Sequence, residues 1–117
     1  MRIVGGEFRN RKLYSPKGKD VRPTGERVRE AIFNILYAKF DIEGKVVADI
    51  CCGTGALGLE ALSRGAEFCT FVDLDTKPVI NNVVELDVQD KTFIIRSLAQ
   101  RARITKKADL VFLDPPY

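Results

Sequence analysis

The chain has 117 residues, 45% of them hydrophobic, which is enough for one domain around one core. No apolar run reaches the ~20 residues of a membrane span, and the N-terminus carries no apolar signal core, so a cytoplasmic location without a membrane partner is expected. Three cysteines with no C-x-x-C pair, and no histidine, leave almost no ligands for zinc; no metal is expected, and the cysteines read as small buried hydrophobes.

The net charge of +3 is unevenly spread. Residues 1–40 hold ten Lys/Arg against four acids, leaving +6, whereas residues 41–117 hold nine against twelve, leaving −3. This division suggests a basic arm (1–40) suited to a polyanion, joined to a less basic body (41–117).

In chain order, residues 1–22 alternate loosely around turn signals at Gly5-Gly6, Arg9-Asn10-Arg11 and Pro16-Lys17-Gly18, which predicts a basic hairpin. Pro23-Thr24 opens a predicted helix to about Lys39, with Thr24 as N-cap and Val28, Ala31, Ile32, Ile35 and Leu36 as its apolar stripe. Strand–helix alternation follows. Strands are expected over 46–51, 68–72, 92–96 and 108–113. Helices are expected over 56–64 and 76–88, with a short helix or turn over 98–104. Gly65 is expected as a left-handed cap. The second helix should bury Val79, Ile80, Val83, Val84 and Leu86, with Pro78 tolerated in its first turn. This order predicts an α/β fold with an open, doubly wound, mostly parallel sheet, whose ligands bind beyond the C-terminal strand ends.

Asp49 to Gly58 has the form D-x-x-x-G-x-G-x-x-G between a strand and a helix. Gly53 and Gly55 allow a tight turn and close approach to a ligand, and the next helix N-terminus favours an anionic group. Asp49 suits the ammonium group of an amino-acid ligand. Asp73, about twenty residues on, stands where a carboxylate accepts ribose hydroxyls, while Asp75 is placed to cap the next helix. The competing reading is a turn whose glycines serve packing only.

The last predicted strand delivers Asp114-Pro115-Pro116-Tyr117. The Asp114 carboxylate and Pro115 carbonyl suit the two hydrogens of an amino group on a flat base, and Tyr117 suits stacking on its ring. Such a constellation aims a nitrogen lone pair at a sulfonium methyl by positioning.

Met1-Arg2-Ile3-Val4-Gly5-Gly6, Arg11-Lys12-Leu13, Arg22-Pro23-Thr24, Arg27-Val28-Arg29-Glu30-Ala31 and the run Gly55 to Gly65 resemble the RsmD-type 16S rRNA guanine-N2 methyltransferases over nearly the whole chain. The resemblance implies a Rossmann-like class I methyltransferase, of which this chain supplies the first four strands behind a hairpin-plus-helix arm. It implies methyl transfer from S-adenosylmethionine to a guanine N2 amine in small-subunit rRNA, with 16S rRNA or the assembling 30S subunit as partner. The cofactor would lie around Asp49, Cys51, Gly53, Thr54, Gly55, Asp73, Leu74, Ser97 and Leu98, and catalysis would fall to Asp114, Pro115, Pro116 and Tyr117. Arg2, Arg9, Arg11, Lys12, Arg22, Arg27 and Arg29 would contact RNA phosphates.

One position departs from the family. Leu98 stands where an Asp or Asn usually binds the adenine amino group, with Ser97 as a weaker substitute. Three other functions compete: an RNA-binding remnant without turnover, an adenine-N6 nucleic-acid methyltransferase, and a nicotinamide-dependent oxidoreductase. The last leaves Asp114 to Tyr117 and the basic arm without a purpose.

Overall fold

A computed structural model describes residues 1–16 and 25–115 of the chain. Its elements are α1 (Glu26–Tyr37), β1 (Val46–Ile50), α2 (Ala56–Ser63), β2 (Phe68–Asp73), α3 (Lys77–Leu86), β3 (Thr92–Arg96) and β4 (Leu110–Leu113). Short 3-10 turns at Gln89–Lys91 and Ala99–Arg101 flank β3. The four strands form one parallel sheet in the order β3-β2-β1-β4. The chain steps outward from β1 to β3, then crosses back to place β4 on the far side of β1. Strand order therefore reverses between β1 and β4, and their register pairs Ile50 with Leu113 at that point.

Strand alternation divides the side chains between two faces. Val47, Cys69, Phe71 and Phe112 pack with α1, α2 and α3 in the main core. Ala48, Ile50 and Val72 face the other way and meet Ile95, Ala99, Ala102 and Ala108. Among the described residues, all three α-helices contribute to the first face only. On the second face Phe93, Val111 and Leu113 are exposed. α2 lies deepest, with all eight of its residues buried.

The N-terminal segment is a hairpin reduced to a single antiparallel bridge between Arg2 and Lys12, without regular strands. It packs into the same core through Ile3 and Leu13. Its backbone is held by buried side chains of the body. Glu60 accepts the Val4 and Gly5 N–H groups at 2.9 Å each. The Ser63 hydroxyl accepts the Phe8 N–H (2.9 Å) and donates to the Gly5 carbonyl (2.6 Å).

Two helices are turned relative to the predicted stripes. In α1 the buried residues are Arg29 and Phe33, with Ile32 and Leu36 partly buried, while Val28 and Ile35 are exposed. The cause is polar: Glu60 of α2 and Arg64 at its C-cap face α1. Glu60 pairs with Arg29 (3.5 Å) and Arg64 (2.8 Å), and the Arg64 guanidinium lies over the Phe33 and Tyr37 rings. A buried guanidinium is tolerable only with such partners. Gly25 is the N-cap residue; the predicted cap Thr24 lies outside the described residues. In α3, Asn82 is buried while Ile80 and Val84 are exposed, against the predicted stripe. Pro78 occupies the first turn of α3 and Gly65 is left-handed, as predicted.

Candidate functional site at the strand switch point

The loop after β1 is shaped by three left-handed residues, Cys51 (φ 59°), Gly53 (φ 57°) and Gly55 (φ 80°). It is pinned to β2, where the Cys52 N–H donates to the Val72 carbonyl (3.0 Å) and the Gly53 N–H to Asp73 Oδ2 (2.8 Å). Asp73 also accepts the Asp75 N–H (3.1 Å), and Asp75 accepts the Lys77 N–H (3.2 Å) at the start of α3, the capping part read for it.

The glycines divide their work. A Cβ on Gly58 would fall 2.5 Å from Phe71 Cε1, and one on Gly55 would fall 2.6 Å from Val79 Cγ2, so these two let α2 close on β2 and α3. Around Gly53 no atom of the described residues, its own chain neighbours aside, lies within 4 Å of the corresponding position. Packing alone accounts for two of the three; Gly53 leaves open space at the strand end.

Asp49 is fully buried, with its Oδ2 accepting the Gly58 N–H at 3.0 Å. Burial above all, then the nearby Asp114 and Asp73 charges, push its carboxyl up to about 8 against the relief of that hydrogen bond. Burial and the same acids raise the Cys51 thiol, so it is not an activated nucleophile. Three carboxyl groups thus converge on the loop: Asp49 from β1, Asp73 from β2 and Asp114 just past β4. Such a site suits a ligand carrying positive charge and hydroxyl donors.

Beside Asp73, the Ser97 N–H donates to the Asp73 carbonyl (3.0 Å), which brings the β3 end to the β2 end. Leu74 and Leu98 are exposed apolar side chains in this region. A cavity of about 290 Å3 is lined by Leu74, Asp75, Thr76, Lys77 and Arg96. Across the switch point, Asp114 is exposed and Pro115 half-buried at the end of β4. Pro116 and Tyr117 lie outside the described residues, as does Arg22.

In the arm, Arg2, Arg9, Arg11, Lys12 and Arg27 are exposed. Arg2 caps the Asn10 carbonyl (2.8 Å), and Arg11 reaches the Glu85 carbonyl of α3 (2.9 Å). Arg29 corrects the sequence reading. Its side chain is fully buried, bonded to the Arg2 carbonyl and paired with Glu60, so it holds the arm to the body and cannot meet a phosphate. Glu60, Ser63 and Asn82 were not singled out from the sequence. The available signal was polar side chains set in apolar helical surroundings.

An open parallel sheet with a left-handed glycine turn at its switch point and an acid closing the neighbouring strand is a Rossmann-like arrangement, and its likeness to solved structures described as methyltransferases makes it the Rossmann-like methyltransferase fold. The chain belongs to the family described as Conserved hypothetical protein 95, whose profile matches residues 1–117. The Bacillus subtilis (strain 168) protein YlbH is 39% identical over 100% of this chain and 67% of its own length. Ribosomal RNA small subunit methyltransferase D of Escherichia coli (strain K12) is 36% identical over 100% of this chain and 60% of its own length. The solved structure of Escherichia coli yhhF superposes with a TM-score of 0.84 at 36% identity, covering 100% of this chain and 64% of that one. The relatives thus carry the RsmD-type resemblance, and the chain spans about 60–67% of their length. No helix among the described residues is long and apolar enough to cross a membrane.

Proposed function

We propose that the protein transfers a methyl group from S-adenosylmethionine to the exocyclic N2 amine of a guanine in 16S rRNA, presented as free rRNA or within the assembling 30S subunit. The observation that carries this reading is the Ile50–Leu113 register, which sets the glycine loop beside Asp114-Pro115. The open space at left-handed Gly53, next to Asp49 and Asp73, fits the cofactor's amino-acid and ribose groups. Asp49, Cys51, Gly53, Thr54 and Gly55 would hold the amino-acid end, Asp73 the ribose hydroxyls, and Leu74, Ser97 and Leu98 the flat base. When bound, the cofactor supplies an electrophilic methyl on a sulfonium.

The work of the chain is to hold the amine. The Asp114 carboxylate accepts one amino hydrogen and the Pro115 carbonyl the other, which keeps the nitrogen lone pair directed and unshared with solvent. Pro116 removes a competing amide donor and Tyr117 stacks on the base. After transfer the extra proton on nitrogen passes to water. Residues 1–40 act as the RNA-facing arm, with Arg2, Arg9, Arg11, Lys12, Arg22 and Arg27 against phosphates.

The test is incubation with labelled S-adenosylmethionine and 16S rRNA or 30S particles lacking the modification. Label in guanine N2 is the expected outcome. Label in adenine N6, or RNA binding without label, overturns the reading. Asp114→Ala should abolish transfer while leaving cofactor affinity unchanged.

A further inference from the structure

Asn82 lies in the middle of α3, between the core residues Val79 and Val83, and is fully buried. A buried amide in apolar surroundings is costly unless its hydrogen-bonding groups are satisfied. Here all of its bonds go to backbone. Nδ2 donates to the Tyr14 carbonyl (2.9 Å) and to the Thr54 carbonyl (2.9 Å), and Oδ1 accepts the Tyr14 N–H (2.5 Å). One side chain therefore joins the end of the hairpin arm to the glycine loop, two segments forty residues apart in sequence.

The Thr54 carbonyl is not an arbitrary acceptor. It shares a rigid peptide plane with the Gly55 N–H, which donates to the Cys52 carbonyl at 2.8 Å. Asn82 grips this plane by its oxygen and the loop grips it by its nitrogen, and the plane leads into left-handed Gly55 at the start of α2. Ser63 offers a contrast: it also ties down the arm, through Phe8 and Gly5, but makes no bond to the loop.

We infer that Asn82 is a positioning residue through which the N-terminal arm and the glycine loop hold each other in place, so that ordering of one is felt by the other. The consequence for cofactor binding rests on the loop being the S-adenosylmethionine site; the mechanical link does not.

Amide hydrogen exchange on the 117-residue chain tests the link without any ligand. In Asn82→Ser, exchange at Tyr14 and Gly55 should accelerate together by about tenfold or more, the scale of losing a buried hydrogen-bond partner, with Val47 and Phe71 still slow. Tyr14→Pro removes the arm's donor from the outside and leaves Asn82 intact; it too should accelerate Gly55. Ser63→Ala should accelerate Phe8 and leave Gly55 unchanged. A Gly55 amide unmoved by both Asn82→Ser and Tyr14→Pro, or moved equally by Ser63→Ala, overturns the inference. Calorimetry with S-adenosylhomocysteine then separates the two claims. Asn82→Ser and Tyr14→Pro should weaken binding about tenfold, and Ser63→Ala should not. If the wild-type chain binds no S-adenosylhomocysteine while the exchange pattern appears, the cofactor reading falls and the tether stands.

Discussion

Gly58→Ala isolates the packing that brings α2 onto the sheet. An alanine Cβ at this position would lie 2.5 Å from Phe71 Cε1, 2.6 Å from Cys69 Sγ and 2.9 Å from Phe71 Cζ. Both neighbours are fully buried, so neither can swing aside into solvent. Replacing a helical glycine by alanine ordinarily gains about 1 kcal/mol. Overpacking costs about 1–3 kcal/mol, and three contacts below 3 Å place this case near the upper end. The net expectation is a loss of about 1–2 kcal/mol, which for a chain of this size lowers Tm by roughly 5–10 °C. The perturbation also reaches the site, because the Gly58 N–H holds Asp49. Thermal and urea melts of the variant beside wild type provide the assay. Adding Cys69→Ala to Gly58→Ala should recover part of the loss, more than the single changes sum to. A Gly58→Ala protein that melts at or above the wild-type temperature would refute the reasoning.

Asp49→Asn should change the pH dependence of stability. Because the folded protein holds the Asp49 carboxyl up to about 8, ionising it opposes folding. That opposition is absent below the ordinary carboxylate range, grows as pH rises and is complete above about 8. Asparagine still accepts the Gly58 N–H, so the variant should gain on wild type by roughly 1–4 kcal/mol between acid and alkaline pH. Urea titrations across that range that show a constant difference would contradict the burial argument. Arg9→Glu with Lys12→Glu should weaken rRNA binding and flatten the log–log salt dependence by about one to two units, since both are exposed. Arg29→Met should instead cost about 3–5 kcal/mol of stability by leaving Glu60 in a buried site with one partner fewer, and should not alter the salt slope of the RNA that remains bound. Denaturant melts and filter binding at several salt concentrations distinguish the two outcomes.

The strands, the helices of the body, the glycine loop and the acid closing β2 were legible in the sequence. Each is written in a contiguous run where hydrophobic period, glycine placement and strand length reinforce one another. β3 was expected over 92–96 and is observed over Thr92–Arg96; the loop between β1 and α2 also falls where read. The family resemblance added the expectation of a guanine as the methylated base, which no local period encodes.

What periodicity could not reveal is which polar residue would find a partner far along the chain. The apolar stripe of α1 pointed to Val28 and Ile35, yet Arg29 is inside, because Glu60, thirty-one residues later, brings an opposing charge to meet it. Asn82 sits inside for the same reason, with Tyr14 and Thr54 supplying its partners. The pairing of Ile50 with Leu113 was likewise settled by the crossover that puts β4 beside β1. Sequence by itself determined the elements of the body and the side chains that each strand end carries. Only the tertiary structure decided which ends meet and which charges are buried, since a polar side chain enters a core only when distant segments satisfy it.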